Sequence, residues 1–241
     1  MAVTCAVGDD GRNLLVAMTG ELALADVAEI RVRLLKCLAE QPGALLLDLS
    51  ALTVAEPMAL SVFCAVSRQA ARWPGTPVLL CAPRPHTRAL LIGDGYHRLP
   101  LFVSTHEARR HLDGDRGAMP VISDELLPIS GAARQGRNVA TEACLRWDLP
   151  HLTAPACLIT SELVSNVVDH ANTMMTLQFS LRPRFLHIAV RDGSPVEPVF
   201  PEQTPPSVDG GRGMFLVNAT SHSWGCLPCE GGKVVWASLA R

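Results

Sequence analysis

The chain has no surplus of either charge. Its 241 residues hold 21 Lys and Arg against 23 Asp and Glu, a formal net charge of −2. The balance holds locally, with 12 basic and 12 acidic residues up to Ala118 and 9 and 11 after it. Neither half has the basic excess that neutralises a phosphate backbone, which argues against direct binding to nucleic acid. Long apolar runs are missing as well. None approaches the ~18 residues that span a bilayer, so no membrane segment is expected. The start, Met1-Ala-Val-Thr-Cys5, lacks a charged segment followed by a long apolar one, so no signal peptide is expected and the cytoplasm is the expected location. A second Cys-x-x-Cys pair is also absent. Cys226-Leu-Pro-Cys229 stands alone, with only His222 near it, and a structural zinc needs four ligands. A plain loop is the expected reading there. Cys37, Cys64, Cys81 and Cys157 sit in apolar segments, where small buried hydrophobes are expected.

The length suits two domains, each able to bury a core. The polar, glycine-bearing stretch Asp113-Gly-Asp-Arg-Gly-Ala118 reads as a boundary, with domains at 1–112 and 120–241 and a linker at 113–119. No internal repeat is visible.

The most informative stretch is Glu162-Leu-Val-Ser-Asn166, inside an apolar segment from Ala156 to Ala171. At helical pitch, residues four apart share a face. Glu162, Asn166 and His170 then form a polar stripe flanked by Ser165 and Asp169, with Leu163, Val164, Val167 and Val168 opposite. A carboxylate and a carboxamide on a buried helix need partners. A hydrated Mg²⁺ carrying phosphates is one, because it takes hard oxygen ligands; a surface helix whose polar face meets water is the plain alternative.

Two alternating runs follow, Thr176–Leu181 and Phe185–Val190, joined by Arg182-Pro-Arg184 and expected to form a hairpin. The second leads into Asp192-Gly193, a carboxylate beside bare backbone that suits an exocyclic amine and a flat purine, or else an ordinary turn. Five prolines and little periodicity mark 194–209, which ends at Gly210-Gly211-Arg212-Gly213 before the apolar Met214–Val217. Such a long structureless connection is functional or disordered in a compact domain. Glycine-rich backbone opening a helix is an anion site, so a phosphate-covering lid is the expected reading, with a flexible hinge as the alternative. Arg212 is expected to be a solvated lid residue. Gly232–Leu239 reads as a closing strand.

Helix, hairpin, Asp-Gly, lid, Gly-x-Gly helix, Trp224-Gly225 and closing strand, in this order, resemble the GHKL ATP-binding fold. The likeness is closest to the anti-sigma-factor serine kinases of bacterial partner switching, and covers about residues 120–241. The resemblance implies a Bergerat α/β sandwich with helices on one face of a mixed sheet, and ATP and Mg²⁺ as cofactors. It makes Asn166 the Mg²⁺ ligand, Glu162 the general base and Asp192 the acceptor for the adenine amine. Gly193 would pack near the ring, while Gly211 and Gly213 would bring lid backbone to the phosphates. Relatives commonly carry a Thr on the closing strand, where this chain has Val234. No phosphoacceptor-histidine helix is visible before the domain, which argues against a sensor histidine kinase.

Residues 1–112 read as alternating strands and helices. Strands are expected at Leu14–Thr19, Ala44–Leu49, Pro77–Cys81 and Leu101–Val103, and helices at Asp26–Glu40, Pro57–Ala71, Arg88–Ile92 and His106–Leu112. Asp26 is the expected N-cap of the first helix. With Asp48-Leu-Ser-Ala-Leu-Thr-Val-Ala55 entering a helix, the pattern resembles a STAS domain, the anti-sigma-factor antagonist family, with a mixed sheet. Family members often continue Asp-Ser-Ser-Gly, whose second serine the partner kinase phosphorylates. Here Glu56-Pro57-Met58-Ala59 stands in its place, and Met58 has no hydroxyl. Glu56 reads as a replacement of the family's Asp, and Ser61 is an alternative acceptor.

Together these likenesses imply a serine/threonine kinase fused to a STAS domain that is not its own substrate. A separate STAS-domain anti-sigma antagonist is the expected protein substrate, a sigma factor a further expected partner, and a homodimer is expected by analogy. A nucleotide-dependent interaction module without phosphoryl transfer is the second reading.

Overall fold

A computed structural model describes residues 3–93, 96, 99–113, 119–198 and 213–241. The chain divides into two compact units, Met1–Gly117 and Ala118–Arg241, each built on a five-stranded sheet.

In the first unit the strands are β1 (Thr4–Asp10), β2 (Asn13–Leu22), β3 (Leu45–Val54), β4 (Val78–Cys81) and β5 (Leu101–Phe102), side by side in that order. β1 and β2 are antiparallel and the remaining pairs parallel, so the sheet is mixed. Between them run α1 (Val27–Ala39), α2 (Ser61–Arg72), α3 (Pro85–Gly93) and α4 (Thr105–Asp113). β3 is apolar without alternation because its start is buried on both faces: Leu45, Leu46 and Leu47 have no exposed surface. It continues to Val54, five residues beyond the expected Leu49, because pairing with β2 persists to Leu22↔Val54. β1 carries no clear periodicity, since it is an edge strand with mostly exposed residues. Gly11, at φ +73°, makes the turn that returns it to β2. Asp26 does not cap α1 with its side chain. That carboxylate instead accepts from the Ala23 N–H at 3.0 Å, closing a short 3₁₀ turn before the helix.

The second unit has β6 (Val121–Leu126), β7 (Met175–Leu181), β8 (Phe185–Asp192), β9 (Ser223–Cys229) and β10 (Gly232–Ala240), in the order β6-β7-β8-β10-β9. Every neighbouring pair is antiparallel, so the expected mixed sheet is corrected here to a fully antiparallel one. For two of the four pairs the physical reason is connectivity: short turns join β7 to β8 and β9 to β10, and a short turn reverses the strand. Helices α5 (Ala132–Arg146), α6 (Thr153–Asn166) and α7 (Gly213–Thr220) pack on one face. The core there joins Ile159, Leu163 and Val164 of α6 to Leu177 and Phe179, Ile188 and Val190, and Val235 and Ala237 of the sheet. α5 lies close against α6: a Cβ on Gly136 would stand 2.9 Å from the Thr160 methyl. β6 is a half-exposed edge and α5 is rich in polar and small residues, so neither shows a strong apolar period. Among the described residues no helix is long and apolar enough to cross a membrane.

Candidate functional site

The polar residues of α6 occupy its last turns. Glu162, Ser165 and Asn166 are half-buried, while Leu163 and Val164 are in the core. Regular α-helix stops at Asn166, and Val167–Ala171 widens into a π-turn closed by the Asn172 N–H to Val167 carbonyl bond at 2.7 Å. Asn172 is left-handed, at φ +50°. The widened turn takes His170 out of the four-residue spacing, so the stripe is Glu162 and Asn166, with His170 and Asp169 in solvent.

Glu162 meets the start of α7. A Cβ placed on Gly213 would stand only 2.6 Å from Glu162 Oε2, so only glycine leaves this carboxylate where it is. Two residues 51 positions apart in sequence are thus brought together at the N-terminus of α7, where free N–H groups favour negative charge. Burial pushes the Glu162 carboxyl above the usual carboxylate range. Gly211 and Arg212 lie outside the described residues.

Asp192 ends β8 on the same sheet face as Leu186, Ile188 and Val190, the face that α6 covers. β7 places Met175 beside it, and β10 places Lys233 on the other side. Asp192 and Lys233 are each only 4 % exposed. Lys233 Nζ donates to Asp192 Oδ1 at 2.9 Å and to the Ser194 carbonyl at 3.2 Å. The Ser194 N–H donates to the same Oδ1 at 2.8 Å. Asp192 Oδ2, equally buried, has no hydrogen-bond partner. Gly193 donates its N–H to Thr173 Oγ1 at 3.0 Å, and a Cβ there would press the Thr173 methyl at 3.2 Å. Asp192's bonds thus run to Lys233 and Ser194, not to α6.

Lys233 and Thr173 join the site without having been marked by any sequence motif. Lys233 does leave a signal: it is a charged residue opening an apolar strand, and a buried ammonium needs a carboxylate. Val234 is buried and pairs across to Arg191 and Leu227, offering no hydroxyl. Cys226 and Cys229 lie on β9, an edge strand that tolerates Pro228, and not in a loop. Three residues apart on a strand, they face opposite sides, and burial pushes the Cys226 thiol up to about 12. Among the described residues no group of three potential metal-binding His, Cys, Asp or Glu occurs.

In the first unit, Glu56-Pro57-Met58-Ala59 forms the approach to α2. Glu56 is extended, and Pro57 opens a 3₁₀ turn that leads into the helix at Ser61. Glu56 Oε2 accepts the Leu24 N–H at 2.8 Å, and the Tyr96 hydroxyl donates to the Pro57 carbonyl at 3.3 Å. Glu56 therefore ties the β2–α1 connection to the β3–α2 connection. Met58 is 72 % exposed, and Ser61 is also exposed.

Residues 5–100 match the family model described as "Mlab, STAS domain". No curated protein matches the chain. Among solved structures, the unphosphorylated anti-sigma factor antagonist SpoIIAA is 16 % identical, over 47 % of this chain and 100 % of that one, with a TM-score of 0.40. An anti-sigma factor antagonist from Mycobacterium paratuberculosis is 22 % identical, over 46 % of this chain and 95 % of that one, with a TM-score of 0.42. A chain of the stressosome, described as a signal integration and transduction hub, is 22 % identical over 45 % and 96 %, with a TM-score of 0.38. By that family match, residues 5–100 form a STAS domain.

Proposed function

We propose that the chain is a cytoplasmic partner-switching regulator whose C-terminal unit is a GHKL-type kinase. It binds ATP with Mg²⁺ and phosphorylates a serine or threonine of a separate STAS-domain protein. The observation that carries this reading is Asp192 Oδ2, a buried carboxylate oxygen with no partner. A buried polar atom left unpaired in a folded protein calls for a missing group, and an exocyclic amine supplies the donor. The residues present fit the nucleotide. Gly193 carries no side chain next to Asp192, where a Cβ would press on Thr173, and Gly213 leaves room at the Glu162 carboxylate.

Asn166 would hold Mg²⁺ through its amide oxygen, and when bound the ion would neutralise charge on the phosphates. Glu162, made more basic by burial, takes the proton of the incoming hydroxyl. That hydroxyl oxygen bonds to the γ-phosphorus, the β–γ bridging bond breaks, and ADP leaves with the electron pair. Gly211 and Gly213 would let lid backbone approach the phosphates. The substrate is in trans because Met58 offers no hydroxyl at the place where relatives carry a serine. A sigma factor as a further partner and a homodimer belong to the same reading.

The second reading is an interaction module in which nucleotide only sets conformation. The missing acceptor hydroxyl at Met58 favours it, whereas Val234 pairs with Arg191 and so faces the side of the sheet away from Asp192. Labelled ATP incubated with the full chain and candidate STAS proteins separates the two. The kinase reading expects label on a STAS protein, lost with Glu162→Ala and Asn166→Ala. Nucleotide binding without any labelled protein supports the module, and no nucleotide binding at all removes both.

A further inference from the structure

The geometry points to Lys233 as a specificity-determining residue: with the Ser194 N–H it fixes the orientation of Asp192, so that this carboxylate presents a single free hydrogen-bond acceptor to the base. This rests on the nucleotide reading above and adds a residue and a rule to it. Both donors converge on one oxygen. Lys233 Nζ stands 2.9 Å and the Ser194 amide 2.8 Å from Oδ1, while Oδ2 is buried and free. The ammonium is held on its other side by the Ser194 carbonyl at 3.2 Å, so it is fixed in place at both ends. Lys233 faces Asp192 directly across β8 and β10, at the end of a sheet whose preceding positions are filled by Val190 and Val235. Rotating the carboxylate would exchange its oxygens but leave the same pattern, one saturated and one free.

An ionised carboxylate accepts hydrogen bonds only. Oδ2 therefore rewards a base that offers N–H and repels one that offers a carbonyl at the same place. Asparagine at position 192 would reverse this. Two donors at Oδ1 hold the amide oxygen there, which leaves the NH₂ at the Oδ2 place. The site's free group then donates, and a base with a carbonyl at C6 becomes the better ligand. Inosine triphosphate differs from ATP in carrying that carbonyl in place of the amine.

The test is titration of the full-length protein with ATP and with inosine triphosphate, each with Mg²⁺. Wild type should prefer ATP by about tenfold or more, since a site built to pair a donor discriminates strongly against its absence. Asp192→Asn should reverse the preference by a similar factor. Because that variant leaves the Lys233 charge buried without a carboxylate, the charge-free double variant Asp192→Asn/Lys233→Gln, which keeps an N–H donor at 233, is made beside it and should show the same reversal. Asp192→Asn/Lys233→Met, with only the Ser194 amide to orient the side chain, should show a smaller reversal. Variants that still prefer ATP, or that fold but bind neither nucleotide, overturn the orientation rule. Equal reversal with Gln and Met at 233 overturns the role of Lys233. A wild type that binds neither nucleotide overturns the nucleotide reading itself, which is a different failure.

Discussion

The two halves differ in what they bury. Among the described residues, the buried polar side chains of the first unit are Thr76 and Thr87 alone. The second unit buries Thr160, Ser180, His187, Asp192, Lys233 and Ser238. Burying two threonines is compatible with packing as the sole purpose. An ion pair with an unpaired oxygen, and a histidine with both ring nitrogens unpaired, lower stability unless they serve something else. The first unit thus buries polar side chains sparingly, and the second keeps buried polar groups at the expense of stability.

The largest test of that contrast is Glu162→Gln. If Glu162 is the base, phosphoryl transfer to a STAS protein should fall by about 10²–10⁴-fold, with nucleotide affinity little changed. Stability should move the other way. Burial raises the folded-state value of this carboxyl, so its favourable contribution is complete below the unfolded value, about 4.3, and is lost as pH rises through the folded one. At neutral pH the ionised glutamate works against folding. Glutamine should therefore melt at a higher temperature at pH 7, with the difference closing near pH 4. A variant inactive and less stable at pH 7 would mark Glu162 as structural.

His187 gives the next effect. Burial, and then the Arg182 charge, lower it to about 4. A depressed value means that protons prefer the unfolded chain. The contribution of His187 is complete above its unfolded value of about 6.5 and is lost as pH falls towards about 4, a change on the order of 3 kcal/mol. Denaturant unfolding of the full chain should weaken steeply across that window, and His187→Leu should flatten the slope. An unaltered slope would place the acid lability elsewhere.

The contrast between the halves is partly legible in the amino-acid sequence. Continuous apolar runs mark β3, β4 and β10, because a strand buried on both faces advertises itself. Edge strands β1 and β6 do not stand out, since half or more of their residues face water. The order of motifs places Glu162 and Asp192 on their elements. It does not show that Lys233 faces Asp192, because that depends on the register of two strands whose facing residues are 41 positions apart. Nor does it show that α6 loosens into a π-turn after Asn166, which the apolar spacing does not record. Mixed against antiparallel pairing in the second sheet is likewise beyond the pattern: alternation reports burial, not strand direction.

Met58→Ser has the smallest effect on folding and the sharpest bearing on the contrast. The side chain is 72 % exposed in the 3₁₀ turn ahead of α2. Stability should change by no more than about 0.5 kcal/mol, as for surface substitutions generally. Chemically the change is total, because a thioether gives way to a hydroxyl at the position where the STAS resemblance expects the phosphoacceptor. Mixed with wild-type protein and labelled ATP, the variant should take label within residues 1–117, and Met58→Ala should not. Combining Met58→Ser with Glu162→Gln in one chain makes that chain acceptor only. Label then depends on added wild type, which separates loss of the acceptor from loss of the catalyst. Should the variant stay unlabelled while another STAS protein is labelled beside it, the difference between the halves extends beyond one missing hydroxyl. The surface around Glu56, held to Leu24 and to the turn at Pro57, would then no longer have the shape of a substrate.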